Sequence, residues 1–432
     1  MCPQLKSRTM EKHTLNCAFA IPGLKCPRWL LLLAASFAAC SSIRAQSDSV
    51  ATKPYATLDR QSVSYQGPTR AIEKDIPDGA AVIGMILPLR GPQESEGKAL
   101  LAAAQLALEA EQLLGPLPDG RRLVLVVRDE SGPWGQASSE ILKLIEQDHA
   151  LVLLTSANGN SAHLAEQIAN KISIPILTLS SDPTTTQANV PWLFRLGPSD
   201  TDQAYAFCQR IYTHLGLRKV LLIVQKDHDG SVGGAEFEKA ARNLKVVPPI
   251  RLEISDSASN LEPVGEMLQT EGLDAIVVWT DAPLAEKLLP LIHQGQPSTP
   301  VFLCRKAAQL STESESDSGN AALVSAREPQ RSGVHFTVRS LQQRQEAGQA
   351  KFQQLYLAQT GTTAGIAATE VYEAVHVIAA ALRSAGASRA LLRDYFANTG
   401  RSGNTTGIIS FDPAGNSVQE FAIVTVRTWA GQ

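Results

Sequence analysis

From Ala80 onward the chain alternates short, nearly unbroken apolar runs with stretches of helical periodicity, and few folds accept that pattern. Ala81–Leu87, Leu123–Val127, Leu151–Leu154 and Ile174–Leu177 read as strands. Gly97–Leu114, Ala137–Ile145 and a segment opening at Ser161 read as helices between and after them. A strand with no polar face is buried on both sides, which predicts a parallel sheet with helices on each face. Right-handed crossovers make such a sheet doubly wound. The alternation restarts after Pro198, with strands at Val220–Val224, Ala275–Val278 and Val301–Leu303. Helices are predicted near Ala204–Leu215, Ala235–Leu244, Val264–Gln269 and Leu284–His293. Ser311–Ser332 reads as a polar surface insertion, Thr363–Ala385 as a long helix, and Gly407–Phe411 and Phe421–Val426 as late strands. The predicted fold class is therefore α/β, with two doubly wound parallel-sheet lobes.

The chain has 432 residues, enough for two or three cores, and a net charge of −3, which offers no bulk attraction to nucleic acid or an anionic membrane. Its six Cys and eight His form no C-x-x-C or H-x-x-x-H pair. That spacing argues against a zinc site or attached haem, so no metal and no cofactor are expected. At the N-terminus, Lys25 and Arg28 precede an apolar run from Trp29 to Ala39. The run is too short to span a bilayer, which takes about 20 residues, and reads as an export signal. Phe37-Ala38-Ala39-Cys40 resembles a bacterial lipoprotein signal, with Phe37 where an aliphatic is usual. Cys40 would then carry the lipid anchor to the membrane; ordinary cleavage after Ala38 or Ala45 is the alternative. The polar stretch Gln46–Gly79 reads as a flexible stalk. An oxidising compartment permits a Cys208–Cys304 disulfide, although two buried thiols fit the sequence better.

No nucleophile elbow, P-loop or dinucleotide fingerprint is present, so no catalytic residues are assigned and an enzyme is not expected. Asp129-Glu130 follows the second strand and reads as solvated or a helix cap, and His228 between two Asp reads as a loop imidazole. The stronger signals are loops at the carboxyl ends of strands, where open α/β sheets bind ligands. Thr155–Ser161 runs into a helix whose N-terminal N–H groups suit a carboxylate, with Ser156 and Ser161 as hydroxyl donors. Ser161 can equally serve as that helix's cap. Ser180-Ser181-Asp182 follows the fourth strand; Asp182 faces a ligand ammonium or starts the turn before Pro183.

Several segments, in order, carry a resemblance: Ile83–Pro92, Thr155–Thr178, Leu193–Leu196 with Ser199-Asp200, Thr369–Ala374 and Gly407–Gly415. Together they resemble the type I periplasmic binding proteins, in particular the branched-chain amino-acid and amide binders of ABC transporters. The resemblance implies three crossovers between the lobes. It places 1–40 as export signal, 41–79 as stalk, 80–198 with 340–405 as the first lobe, and 199–339 with 406–432 as the second. It implies a small polar solute held by Ser156, Ser161, Ser180 and Asp182 from the first lobe and by Asp229, Thr280 and Asp281 from the second. The aromatic that often covers the ligand falls on Asp229. Two carboxylates, Asp182 and Asp229, would then approach one low-dielectric cleft, which favours a zwitterionic or cationic solute. The implied partner is an ABC permease and the implied location is the periplasm or cell envelope. A second reading keeps the fold but makes the chain an envelope lipoprotein that regulates or senses through protein contacts.

Overall fold

The computed structural model describes residues 79–133, 135–188, 190–255, 261–309, 333–339, 343–399, 409–418 and 421–426. Cys40, the export signal, the stalk, the 311–332 insertion and the start of the Gly407–Phe411 strand lie outside these residues.

The first sheet holds β1 (Ala80–Leu87), β2 (Arg122–Asp129), β3 (Val152–Thr155), β4 (Ile176–Thr178) and β5 (Leu193–Arg195), in the order β2-β1-β3-β4-β5. All its pairs are parallel. Between the strands run α1 (Glu94–Gln112), α2 (Gln136–Glu146), α3 (Gly159–Ile172) and the single turn α4 (Thr184–Gln187). Strand β1 explains why this sheet must be covered twice. Its residues Ala81, Ile83, Met85 and Leu87 enter one core, with α1 and later helices. Val82 and Ile86 enter another, with Ile141 and Leu144 of α2 and Ala165 and Ala169 of α3. Complete burial of each Ile, Leu or Met contributes roughly 1.5–3 kcal/mol, so neither face can be left to water.

The second sheet contains β6 (Val220–Gln225), β7 (Ile250–Ile254), β8 (Ala275–Trp279), β9 (Val301–Leu303), β10 (Val334–Arg339) and β11 (Phe421–Val426), in the order β11-β10-β9-β8-β6-β7. Helices α5 (Asp200–Cys208), α6 (His228–Asn243), α7 (Glu262–Leu268) and α8 (Ala282–Gly295) belong with it. Without β11 its order repeats that of the first sheet. The β10–β11 pair is antiparallel, which departs from the all-parallel expectation: the chain returns to the edge of the finished sheet from the other direction. Cys208 and Cys304 are buried free thiols in this lobe, and burial pushes the Cys304 thiol up to about 12.

Helices α9 (Gln343–Thr360), α10 (Ile366–Ala385) and α11 (Arg389–Asn398) return to the first sheet, where Phe352, Val371, Ile378 and Phe396 join its core. The chain thus passes between the sheets three times: after β5, between β10 and α9, and between α11 and β11. The last passage falls later than position 405. Ile409 and Phe411 lie in the first core, Phe411 packs 5.1 Å from Phe194 between ring centroids, and Asn416 bridges Arg195 of β5. Residues 409–418 therefore pack with the first lobe, because the apolar side chains there have their partners on β5 and α11. No described helix is long and apolar enough to cross a membrane.

Candidate functional site

Both sheets turn the carboxyl ends of their strands toward each other, and the loops from those ends interlock. The switch points of the two orders lie between β1 and β3 and between β6 and β8. Loops leaving these strands supply most of the polar groups described below, as the topology requires.

The Thr155–Ser161 loop runs into the start of α3, whose first N–H groups meet side-chain acceptors. Asn158, not Ser161, is the cap: its side chain accepts from the Ser161 N–H at 3.1 Å. The Gly159 N–H donates to Asp229 Oδ1 at 3.1 Å, so a carboxylate of the second lobe sits at the α3 N-terminus. Gly159 allows this approach, because a Cβ there would lie 2.3 Å from that oxygen. Lys306, after β9, holds the other Asp229 oxygen at 2.5 Å. Burial disfavours the Lys306 charge, but Asp229 and Asp227 outweigh it and raise the group above its ordinary range.

Asp182 is equally engaged. Its Oδ1 accepts from the Thr184 N–H at 2.9 Å and the Thr184 hydroxyl at 2.7 Å. Its Oδ2 faces His163 Nε2 at 3.1 Å and, from the second lobe, His228 Nε2 at 2.7 Å. Burial raises the Asp182 carboxyl, yet these hydrogen bonds prevail and hold it well below the usual range. The bonds from Asp182 and Glu166 push His163 up to about 9. The expectation of two unpaired carboxylates at Asp182 and Asp229 is thus corrected: each has found a cationic or N–H partner across the lobes.

Ser180 is 1 % exposed, and its hydroxyl accepts from the Asp182 N–H at 3.3 Å, closing a local turn. The Thr280 hydroxyl donates to the Asp281 carbonyl at 3.0 Å. Asp281 caps α8 through the Leu284 N–H at 3.0 Å and accepts from Gln225 and, across the lobes, Gln93, both at 3.2 Å. Asp229, Thr280 and Asp281 border a narrow crevice shared with Asp200 and Lys306. Burial pushes the Asp200 carboxyl up to about 7. Ser161, Ser180 and Asp182 border neither this crevice nor the main cavity.

That cavity measures about 610 Å³ and lies between the loops after β1, β2 and β3, with Lys306 of the second lobe on its border. Ser156, Asn158, Glu96 and Glu130 line it. Ser156 donates to Glu130 Oε1 at 2.6 Å, while the buried Glu130 Oε2 has no hydrogen-bond partner among the described residues. Burial raises the Glu130 carboxyl against the opposing Ser156 and Ser161 hydroxyls. Burial also pushes Glu96 up to about 7, with Lys306 opposing. Sequence reasoning passed over Glu96 and Lys306, and read Glu130 as solvated. An acidic residue in the first turn of a helix, as Glu96 is in α1, reads as dipole support.

A further cross-lobe bond underlies the crossover. Arg305, after β9, pairs with Glu370 of α10; the two are 2 % and 4 % exposed. The Arg305 guanidinium occupies space that a Cβ at Gly197 would fill, at 2.7 Å from its Cζ.

Comparison with known proteins follows this geometry. A family model described as periplasmic binding protein matches residues 81–428. The LivJ branched-chain amino acid transporter substrate binding protein of Streptococcus pneumoniae, solved with isoleucine, superposes with a TM-score of 0.66 at 19% identity, over 81% of this chain and 96% of that one. The leucine binding protein LivK of Thermotoga maritima gives 0.64 at 18%, over 81% and 96%. A solute binding protein of an ABC transporter from R. palustris, solved with benzoate, gives 0.66 at 18%, again over 81% and 96%. These likenesses show the fold. A search of curated proteins finds no match.

Proposed function

The chain belongs to the periplasmic binding protein family, and from that premise we propose that it captures a small solute of net positive charge, an amino acid with a cationic side chain foremost, for an ABC importer. Binding is by closure of the lobes, with no chemistry done on the solute. The observation that carries the charge preference is Glu130. A buried carboxylate oxygen without a donor is costly, and an ammonium or guanidinium N–H from the solute relieves it. Glu96 faces the same space and adds to the preference. A volume of about 610 Å³ suits a solute of amino-acid size. The isoleucine held by the S. pneumoniae protein supports an amino acid, and the benzoate of the R. palustris protein supports breadth in the family's solutes. We place the chain in the periplasm or envelope, anchored through Cys40; unchanged membrane fractionation of Cys40→Ser would remove the anchor from this reading.

Calorimetry of the purified protein with arginine, lysine, leucine and a neutral amide tests the solute class. Arginine or lysine binds, leucine binds at least tenfold more weakly, and Glu130→Gln weakens the cation. Tight binding of leucine with none of the cations, or a Glu130→Gln variant of undiminished affinity, refutes the charge argument.

A further inference from the structure

His163 stands on the second turn of α3 and Asp182 in the loop after β4, both in the first lobe; His228 opens α6 in the second. Their ligating atoms lie within 4.8 Å of one another. Both imidazole Nε2 atoms lie within hydrogen-bond reach of one oxygen, Asp182 Oδ2, at 3.1 Å and 2.7 Å, and His163 Nε2 is also 2.8 Å from Thr184 Oγ1, a contact an ion would displace. The two rings meet edge-on, with centroids 5.8 Å apart at 85°.

We propose that these three residues form a binding site for a divalent transition-metal ion, of which Zn²⁺ is the type, bridging the two lobes. Two imidazole nitrogens and one carboxylate oxygen make a ligand set that suits zinc and its neighbours, whereas magnesium and calcium prefer oxygen alone. Bonds of about 2.0–2.1 Å in a tetrahedron separate ligand atoms by roughly 3.3 Å, so the two nitrogen-to-Oδ2 spacings need only a small outward shift. The Asp182 side chain is 1 % exposed while the imidazoles are 28 % and 34 % exposed. Solvent therefore reaches the side of the cluster where a water completes the fourth position.

The surroundings are arranged as metal sites require. His163 Nδ1 faces Glu166 Oε2 at 3.0 Å, which fixes the ring with Nε2 toward the ion. Asp182 Oδ1 is held by Thr184, which leaves Oδ2 as the ligand atom. Both Nε2 atoms must be free of protons to ligate, so an entering ion takes the place of the N–H groups that now point at Asp182. Because His228 comes from the second lobe, the site is complete only when the lobes are together, and a bound ion holds them there. The spacing of ligands along the sequence, which argued against a metal, does not bear on a site assembled from three separate elements. None of the three lines the solute cavity, so this site stands or falls independently of solute capture.

The test uses the purified chain stripped with a chelator, then titrated with ZnCl₂ by calorimetry and with CoCl₂ by visible absorption. One ion binds per chain, and cobalt shows the intense bands of a tetrahedral nitrogen–oxygen site. His163→Ala and His228→Ala each weaken zinc by at least tenfold, Glu166→Gln weakens it by about 10- to 100-fold, and the exposed His293→Ala leaves it unchanged. Absence of saturable zinc uptake, a cobalt spectrum without those bands in the unmodified chain, or binding indifferent to both histidine variants overturns the proposal.

Discussion

Replacing Glu370 by leucine removes the carboxylate of the ion pair beneath the first crossover and leaves the Arg305 guanidinium buried. Arg305 is 2 % exposed, and its guanidinium is lodged against Gly197, so it cannot swing to water without moving the β5–α5 connection. Its backbone N–H is also pinned, donating to Gln203 Oε1 at 2.7 Å. Breaking a buried pair from one side typically costs 3–5 kcal/mol, so a loss of about 3–5 kcal/mol is expected from Glu370→Leu, and a similar loss from Arg305→Met. At about 2 °C per kcal/mol for a chain of this size, the thermal midpoint falls by about 6–10 °C. The double variant Arg305→Met, Glu370→Leu fills the same space with apolar groups and strands no charge. It recovers to within about 2 kcal/mol of the parent, a strong coupling between neighbours. Urea unfolding followed by circular dichroism measures all three. Single variants within 1 kcal/mol of the parent, or a double variant as poor as the sum of the singles, would show that the pair contributes no more than a surface bridge.

Three other outcomes follow from described contacts. Glu96, at about 7 when the cavity holds no cation, drops toward the ordinary glutamate value beside one; the bound state then holds fewer protons, so affinity for arginine climbs roughly 10- to 100-fold from pH 5 to pH 7.5 and levels off above, and a flat calorimetric profile contradicts this. Glu111 of α1 is held below its ordinary value, because hydrogen bonds from His376 and Arg383 of α10 outweigh burial. Its contribution is present above the unfolded glutamate value and is lost as pH falls below about 4.5; Glu111→Gln should therefore flatten the acid limb of the stability profile, and an unchanged limb counts against the assignment. Gly233→Ala places a Cβ 1.8 Å from Trp279 Nε1, so α6 must lift from β8; a destabilisation of about 1–3 kcal/mol in urea is expected, and a neutral result contradicts the packing.

The strands most legible in the sequence were those buried on both faces, since β1, β3, β6 and β8 are apolar along their length and carry a polar side chain only at their carboxyl ends, Thr155 and Gln225. Strand β7 escaped because Ile250-Arg251-Leu252-Glu253-Ile254 alternates at the sheet edge, with charged residues facing partly outward. Strand β10 escaped for a different reason: it carries a buried histidine, His335, stacked 4.5 Å from Phe302, in a segment that follows a long polar stretch. Strand-end loops were legible as a place, because topology alone puts them there. Their partners were not. Gly159 meets Asp229 and Asp182 meets His228 across gaps of 70 and 46 residues, and no local spacing encodes such a meeting. Charges that looked unpaired along the chain were therefore paired in space, while Glu130, which looked solvated, has a buried oxygen with no hydrogen-bond partner among the described residues.

The Asp229 carboxylate at the start of α3 also acts as a tethered rival. Being part of the same molecule, it is present at that helix terminus at a local concentration in the millimolar range typical of short tethers, whatever the supply of solute outside. A solute carboxylate that takes the terminus must evict it, and its apparent affinity is lowered by the fraction of time the rival is seated. A cation settling on Glu130 Oε2 has no hydrogen-bonded group to evict, although the Lys306 ammonium, bonded to Asp229, borders the same cavity. The result is a filter by charge that needs no clash with the wrong solute: anions are discounted by occupancy, cations are not, and Asp229→Asn would lift the discount by leaving the terminus to whichever carboxylate arrives.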